Sequence, residues 1–576
     1  AEELTKISNN DGAAAPKSTT TQLTKKDRKA RDKATAQTRT MDFMRAPTAE
    51  ELMPLDSSMN DDEDTRLERA TTSYENRSQR FVLKSKQFTQ QYSHMYNKRL
   101  VQLRAAAHDA AHAQFGAEYE RTEKAIGLVE GRPSYLVGTL YKSMKLKPSV
   151  LDQFKDALAT SAPAEPLDDY TDEEDTLVLE DESGRVELMS SGGELQAASL
   201  ATGLVVCVAG SLDQTSGRFD VRQWCAPGPA PALPCEAKAG APGSSKEVSE
   251  GAGGKLLLLV SGLELGGVGA CSRLPAAMLV DFVAGHFGGQ DDVKLASRIA
   301  RVVVAGNSRA EMPRDELLAN SKLSKEAQEK IHGPMREVDA LLASLASAVP
   351  VDCMPGPKDP AGHWLPQQPL PPCLFPNAAR YSSYQRCPNP HEFTMGGELV
   401  LGSSGQPLDD LRKFARPQRQ PATKESGGGE SGGEKSDEVS AGAGVDPGEE
   451  CVGWLAEMLR WRHMAPTAPD TLDTYPCLAS DPFVLDHSPR VFFAGNQKAF
   501  AARVVDLGPS GGGGGGGGNQ GSGGEQAQCL CVSVPSFAET GEVVLVDPET
   551  LEFQTLKFRG LPAQEQAPDT GMDEGN

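Results

Sequence analysis

"RVVVAGNSRA" (residues 301–310) and "RVFFAGNQKA" (residues 490–499) share one shape: a basic residue, an apolar run, then Gly-Asn. Similar short runs surround them: "KLLLLVSGLELGG" (255–267), "SAVPVDCMPG" (347–356), "GELVLGSSGQ" (397–406), "CLCVSVPSF" (529–537) and "GEVVLVD" (541–547). Near-continuous apolar runs of this length are the pattern of strands buried on both faces. Helical stretches separate some of them, at 324–348 and 451–464, so the reading is a layered α/β body over 255–562. In such folds ligands lie beyond the carboxyl ends of the strands. The Gly-Asn ends are therefore where a site is sought.

Working outward, residues 134–225 change period. "SYLVGTLYKSM", "DTLVLEDESGRVELMS" and "LATGLVVCVAGSLDQTSGRFDVRQWC" read as about five short strands separated by Gly-containing turns. That spacing predicts a small Greek-key barrel of the OB type over 131–226. The segment 165–187 is dominated by Asp and Glu, which points the barrel toward protein contact rather than nucleic acid. Before it, Phe88, Tyr92, Met95, Tyr96, Leu100 and Leu103 fall at helical spacing, giving a helical segment over 74–130. Residues 1–73 carry too few large apolar side chains to offset ordering entropy and read as a disordered tail, as does 563–576. A Pro/Gly/Ser linker spans 227–254, and Gly/Ser/Glu-rich insertions fall at 416–449 and 508–526. The fold class is thus α+β multidomain.

A formal charge of -22 and a pI near 5.0 argue against broad attraction to a phosphate backbone, which needs Lys and Arg. There is no apolar run of about 18 residues and no signal-peptide core, so a soluble intracellular chain is expected. The 11 cysteines are scattered without a CxxC, and free thiols in a reducing compartment follow. The basic cluster at 25–33 reads as an import signal or a solvated charge run. His108 and His112 are four apart, but Asp109 follows the first where a zincin helix carries Glu, which argues against a metal pair.

Four strand ends resemble, in order and character, those of calcineurin-like metallophosphoesterases, which carry D-x-H, G-D, G-N-H-D and G-H. Here Ser261 and Leu263 stand for the first pair, Asn307 for the bridging Asp, Lys358 beside Asp359 for the third motif, and Asn496 for the last His. A two-metal centre needs several converging oxygen or imidazole ligands, so the site reads as inactivated, with no catalytic residue, metal or other cofactor. An OB barrel followed by such a body resembles the B, or small regulatory, subunit of the replicative DNA polymerases. "QQYSHMYNKRLVQLR" (90–104), "VGTLYKSMKLKPSVL" (137–151), "LLVSGLELGG" (258–267), "VPVDCMPGPKDP" (349–360) and "RHMAPTAPDTLDTYPC" (462–477) look like the δ branch of that family. The resemblance spans about residues 74–562. It implies a nuclear, non-enzymatic accessory subunit for DNA replication and repair. Such a protein joins the cysteine-rich C-terminal domain of the polymerase δ catalytic subunit to the third, clamp-binding accessory subunit. It touches DNA only through the complex, makes no membrane contact, and in some eukaryotes serves the translesion polymerase ζ catalytic subunit as well. Partner contact is expected from two Pro- and aromatic-rich loops, at Pro369, Leu370, Phe375, Pro469, Asp470 and Tyr475. The rivals are a metal-dependent phosphodiesterase or 3'-5' exonuclease, and the B subunit of polymerase α or ε.

Overall fold

The computed structural model describes residues 38–42, 68–84, 88–89, 91–147, 167–234, 254–266, 273–311, 325–417, 446–477, 479–508 and 527–560. The cluster at 25–33, the stretch 235–253, most of both glycine-rich insertions and residues 563–576 lie outside them. In chain order come β1 (Thr38–Asp42), β2 (Tyr74–Asn76), α1 (Ser93–Gln114), β3 (Glu120–Arg121), β4 (Ser134–Ser143), β5 (Thr176–Glu180), β6 (Arg185–Met189), β7 (Val205–Leu212) and β8 (Phe219–Cys225). Then follow β9 (Leu256–Val260), α2 (Arg273–Ala284), α3 (Gln290–Ser297), β10 (Ile299–Ala305), α4 (Lys325–Ala348), β11 (Val351–Met354), β12 (Tyr384–Arg386), β13 (His391–Met395) and β14 (Glu398–Ser403). The order closes with α5 (Gln406–Phe414), α6 (Pro447–Trp461), β15 (Val491–Gln497), β16 (Ala501–Asp506), β17 (Gln528–Pro535), α7 (Phe537–Thr540), β18 (Glu542–Val546) and β19 (Phe553–Arg559).

The barrel strands run β4-β5-β6-β8-β7, and β7 pairs back to β4, so the sheet closes. The β6–β8 pairing is parallel and its neighbours antiparallel, the connectivity of an OB barrel. Helix α1 lies against it, with Leu100, Leu103 and Ala107 packed on Val137, Val205 and Cys207. Phe88 and Tyr92 do not belong to that face. The helix starts at Ser93, and both rings are exposed, with Phe88 packed edge-on to Trp364.

The second body is a two-sheet sandwich. One sheet has the order β1-β19-β18-β9-β10-β11-β12, the other β16-β17-β15-β14-β13-β2. Every residue of β9 and of β10 is buried. Leu256, Leu258 and Val260 meet Phe282 of α2 and Leu342 of α4, whereas Leu257 and Leu259 face Phe393, Val400 and Phe493 of the other sheet. Each such side chain contributes about 1.5–3 kcal/mol on burial, which is why both parities of the strand are apolar. Beyond the second sheet, Phe492 and Cys531 pack on Trp454 and Met458 of α6, in a core continuous with the barrel interior.

Several boundaries differ from the sequence reading. β1 and β2 draw parts of the supposed tail and helical segment into the sandwich, and Arg69 donates to the carbonyls of Val283, Ala296 and Ile299. These contacts rest on main-chain pairing and a guanidinium, which an apolar count does not register. The linker is ordered at its start, where Gly228 N donates to Arg460 O and Ala230 is buried. The first insertion ends inside α6, because Asp446 caps the helix by accepting from Glu449 N. Among the described residues no helix is long and apolar enough to cross a membrane.

Candidate functional site

The two opening strands belong to different sheets, β10 to one and β15 to the other, yet their ends meet. Asn307 and Asn496 both take left-handed backbone, at φ 52° and 57°, after Gly306 (φ 85°) and Gly495. Asparagine tolerates that region better than other side chains with a Cβ. A Cβ on Gly306 would stand 2.6 Å from Ser404 Cβ, and one on Gly495 would stand 2.8 Å from Ala305 O. The glycines therefore let four strand ends converge.

Amides and hydroxyls close the junction. Asn496 Nδ2 donates to Ala305 O (3.1 Å) and Ser404 O (2.8 Å), and Asn496 N donates to Ser261 Oγ (2.8 Å). Asn307 Oδ1 accepts from Lys358 N at 3.0 Å. Behind them Asn389 Nδ2 donates to Gln367 Oε1, Ser404 Oγ and Gln406 Oε1, while its Oδ1 accepts from Ser404 N. Gln367 Nε2 then reaches Gly356 O and Gly362 O. Lys358, Glu264 and Asp359 have internal partners, whereas Arg309 Nε is buried without a hydrogen bond. Lys358 Nζ meets Glu264 Oε1 at 2.5 Å, and Asp359 accepts from Gly356 N (2.8 Å) and Arg309 N (3.2 Å). Burial pushes the Asp359 carboxyl up to about 6 despite those amides, and burial lowers the Arg309 guanidinium.

Of the six expected site positions, Ser261, Asn307, Lys358, Asp359 and Asn496 do gather here. Leu263 does not: it is fully buried in the apolar core beneath β9. The positive φ of Gly262 (62°) and Glu264 (45°) breaks the alternation that would have kept residues 261 and 263 on one side. Sequence reasoning misses Gln367, Asn389, Ser404 and Gln406. They lie in the strings "PQQPLPP", "CPNP" and "LGSSGQ", whose only local signal is uncharged polar residues beside Gly or Pro.

The expected partner loops fall within the described residues as well. Leu370 and Phe375 are core residues of the first sheet's outer layer, so they have no surface to offer, a correction to the sequence reading. Loop apolar residues here pack inward. Tyr475 is 8% exposed and packs against Phe88 and Trp364. Pro369 and Pro469 are partly exposed, and Asp470 pairs with Lys147 at 2.6 Å.

Among the described residues, one group of potential metal ligands lies elsewhere, between the sheets: Asp352, Cys387 and His391, all buried. Its carboxylate is taken. Arg301 Nη1 donates to Asp352 Oδ1 at 2.6 Å, His391 Nε2 lies 3.3 Å from Oδ2, and the Arg301 guanidinium sits 3.4 Å from the Tyr74 ring centroid. Burial holds the Cys387 thiol well above its ordinary range. With the Arg301 guanidinium on its carboxylate, the group is part of a buried ion pair joining β2, β10, β11 and β13. His463 belongs to a separate buried pair with Asp481.

Comparison with known proteins agrees with this layout. The family described as DNA polymerase delta subunit OB-fold domain matches residues 91–224, and the B-subunit family of DNA polymerases alpha and epsilon matches 257–502. The chain is 33% identical to the DNA polymerase delta small subunit of Arabidopsis thaliana over 492 residues, covering 85% of this chain and 96% of that protein. It is 32% identical to the rice (Oryza sativa subsp. japonica) protein of the same name, covering 85% and 99%. Identity to the Saccharomyces cerevisiae DNA polymerase delta small subunit is 31%, covering 84% and 93%. With a closed OB barrel, a sandwich that the second family matches and near full-length identity to these proteins, the chain belongs to the DNA polymerase δ small-subunit family.

Proposed function

We propose that this chain is the non-catalytic scaffold of a polymerase δ assembly, and that its sandwich is a calcineurin-like phosphoesterase body without the chemistry. The observation that carries the reading is the junction itself. Where a two-metal hydrolase would need several anionic or imidazole ligands, these strand ends hold Ser261, Asn307 and Asn496 in a hydrogen-bonded network of neutral groups. Of the two carboxylates here, Asp359 is spent on backbone amides and Glu264 on Lys358. The donor set does not suit a metal pair.

The partners we propose are those the family resemblance implies: the cysteine-rich C-terminal domain of the catalytic subunit, a clamp-binding accessory subunit and, as a second assembly, the polymerase ζ catalytic subunit, all in the nucleus. An acidic scaffold with no grip on DNA serves such a complex by linkage, raising the effective concentration of one arm near another. Of the loop positions, Pro369, Pro469 and Asp470 keep exposed surface for a partner.

The test has two arms. Titration with manganese by calorimetry, followed by a phosphodiester hydrolysis assay on the same sample, is expected to give neither stoichiometric heat nor turnover. Co-expression with the C-terminal domain of the catalytic subunit is expected to give a co-purifying complex. Turnover abolished by Asp359→Ala, or failure of the complex to form, would overturn the reading.

A further inference from the structure

The outer edge of β19 carries a feature that the scaffold role does not use. Phe558 N donates to Gly541 O, and Leu556 lies opposite Val543. Alternation along the strand therefore turns the amides of Thr555, Lys557 and Arg559 away from β18. That outward edge is filled by β1, which pairs in parallel with Thr38 opposite Thr555 and Thr40 opposite Lys557. Beside it, Asp292 of α3 is 5% exposed. One of its oxygens caps the helix by accepting from Gly289 N at 2.9 Å. The other, Oδ1, is buried without a hydrogen bond and faces Arg39 Nη2 at 2.7 Å as an ion pair.

We propose that the β19 edge and the Asp292 carboxylate together form a strand-acceptor site for an extended segment bearing an arginine, which residues 38–42 fill in cis. Two independent features define the ligand. The outward ladder groups of β19 select an extended backbone, and a buried carboxylate oxygen selects a cation at one register position. Arg39 is the cation that Asp292 Oδ1 faces, and charge-assisted contacts are stronger than neutral ones, so a strand lacking a cation at that position is a poor substitute. Because β1 belongs to the same chain, it competes intramolecularly, at an effective concentration on the order of millimolar. A micromolar peptide is thereby excluded until the tethered strand is weakened.

The experiment uses the full chain and its Arg39→Glu variant, a change at a side chain that is 45% exposed and so compatible with folding. Hydrogen exchange resolved by residue is expected to speed up by about tenfold or more at Thr555 and Lys557 in the variant, with Leu556 and Phe558 unchanged. A labelled peptide of residues 36–44 is expected to bind the variant and to bind the parent chain at least about tenfold more weakly. Adding Asp292→Asn, which keeps the helix cap, is expected to abolish that binding. Unchanged exchange at Thr555 and Lys557, or peptide binding indifferent to Asp292→Asn, would overturn the proposal. A concentration-dependent dimer of the parent chain that Arg39→Glu dissolves would also overturn it, by assigning the edge to a second copy.

Discussion

Changing Asp481 to Asn leaves a guanidinium without a counter-charge at the seam between helix α1, the barrel and the sandwich. Arg99 is fully buried and donates to Asp481 Oδ2 (2.7 Å), Gly203 O (2.9 Å), Pro466 O (3.0 Å) and Ala468 O (2.6 Å). Asp481 also accepts from Phe483 N and lies 3.0 Å from His463 Nε2. Burial alone would raise the Asp481 carboxyl; Arg99 and His463 overcome it and hold the group well below the usual carboxylate range. The three carbonyls still solvate Arg99 in Asp481→Asn, but the charge is uncompensated, and breaking a buried pair in this way costs about 3–5 kcal/mol. At about 2–4 °C per kcal/mol, that lowers the melting temperature by roughly 6 to 20 °C. Arg99→Met strands the opposite charge and is expected to cost a similar amount. The double variant removes both charges, so its cost should fall short of the sum by about 2 kcal/mol or more. Urea unfolding of the four proteins in the cycle measures this directly. Single costs within about 1 kcal/mol that add within about 0.5 kcal/mol would refute the assignment of the seam to this pair.

Acidification tests two buried groups of opposite sign. Burial and Arg99 push His463 down to about 4 from 6.5, so between those values the unfolded chain binds a proton that the folded chain refuses, and stability falls as pH falls, by about 3 kcal/mol. Asp359 is raised to about 6 from 3.8; there the folded chain takes the proton first, and stability rises by a similar amount as pH falls through that window. The two contributions offset one another in the parent chain. Asp359→Asn is expected to expose a steeper loss of stability from pH 6 to 4 by denaturant titration, and parallel profiles for the two proteins would count against the assignment. At the strand ends, Gly306→Ala is expected to cost at least about 2 kcal/mol from left-handed strain and contact with Ser404 and Gly356. Asn496→Val is expected to cost about 3 kcal/mol or more, because a β-branched residue must hold φ 57° and the bonds to Ala305 O and Ser404 O are lost. Asn496→Gly, which relieves the strain alone, should fall between the parent and the valine variant in thermal midpoint.

What the sequence discloses follows from which forces are local. Strands β9, β10 and β15 are legible because burial on both faces leaves a continuous apolar run, and the barrel because its turns carry Gly at regular intervals. The convergence of Ser261, Asn307, Asp359 and Asn496 is legible because each ends a strand, and strand ends of one sandwich lie together. Leu263 is misplaced by the pattern because alternation fails where Gly262 and Glu264 turn left-handed. The network of Gln367, Asn389 and Gln406 is invisible because its members come from loops, where no period marks them. β1 is invisible for another reason: five residues paired through their backbone to β19 leave almost no compositional trace.

A metal centre and an amide network solve the same mechanical problem at opposite electrostatic extremes. Strand ends that gather carboxylates repel one another until a cation arrives, so their closure is conditional on the ion. Here the same ends are joined by Asn496 to Ala305 and Ser404, by Asn307 to Lys358, and by Asn389 to Gln367 and Gln406, none of which is an ion pair. Those neutral hydrogen bonds are not screened as charges are, whereas the ion pair beside them, Lys358 with Glu264, is the part of the junction that salt weakens. The glycine and left-handed asparagine geometry must be kept even so, because it is the chain path, not the chemistry, that lets Gly306 and Gly495 approach Ser404 and Ala305. The proposed scaffold role asks of these strand ends a fixed chain path, which the bonds from Asn496 to Ala305 and Ser404 supply.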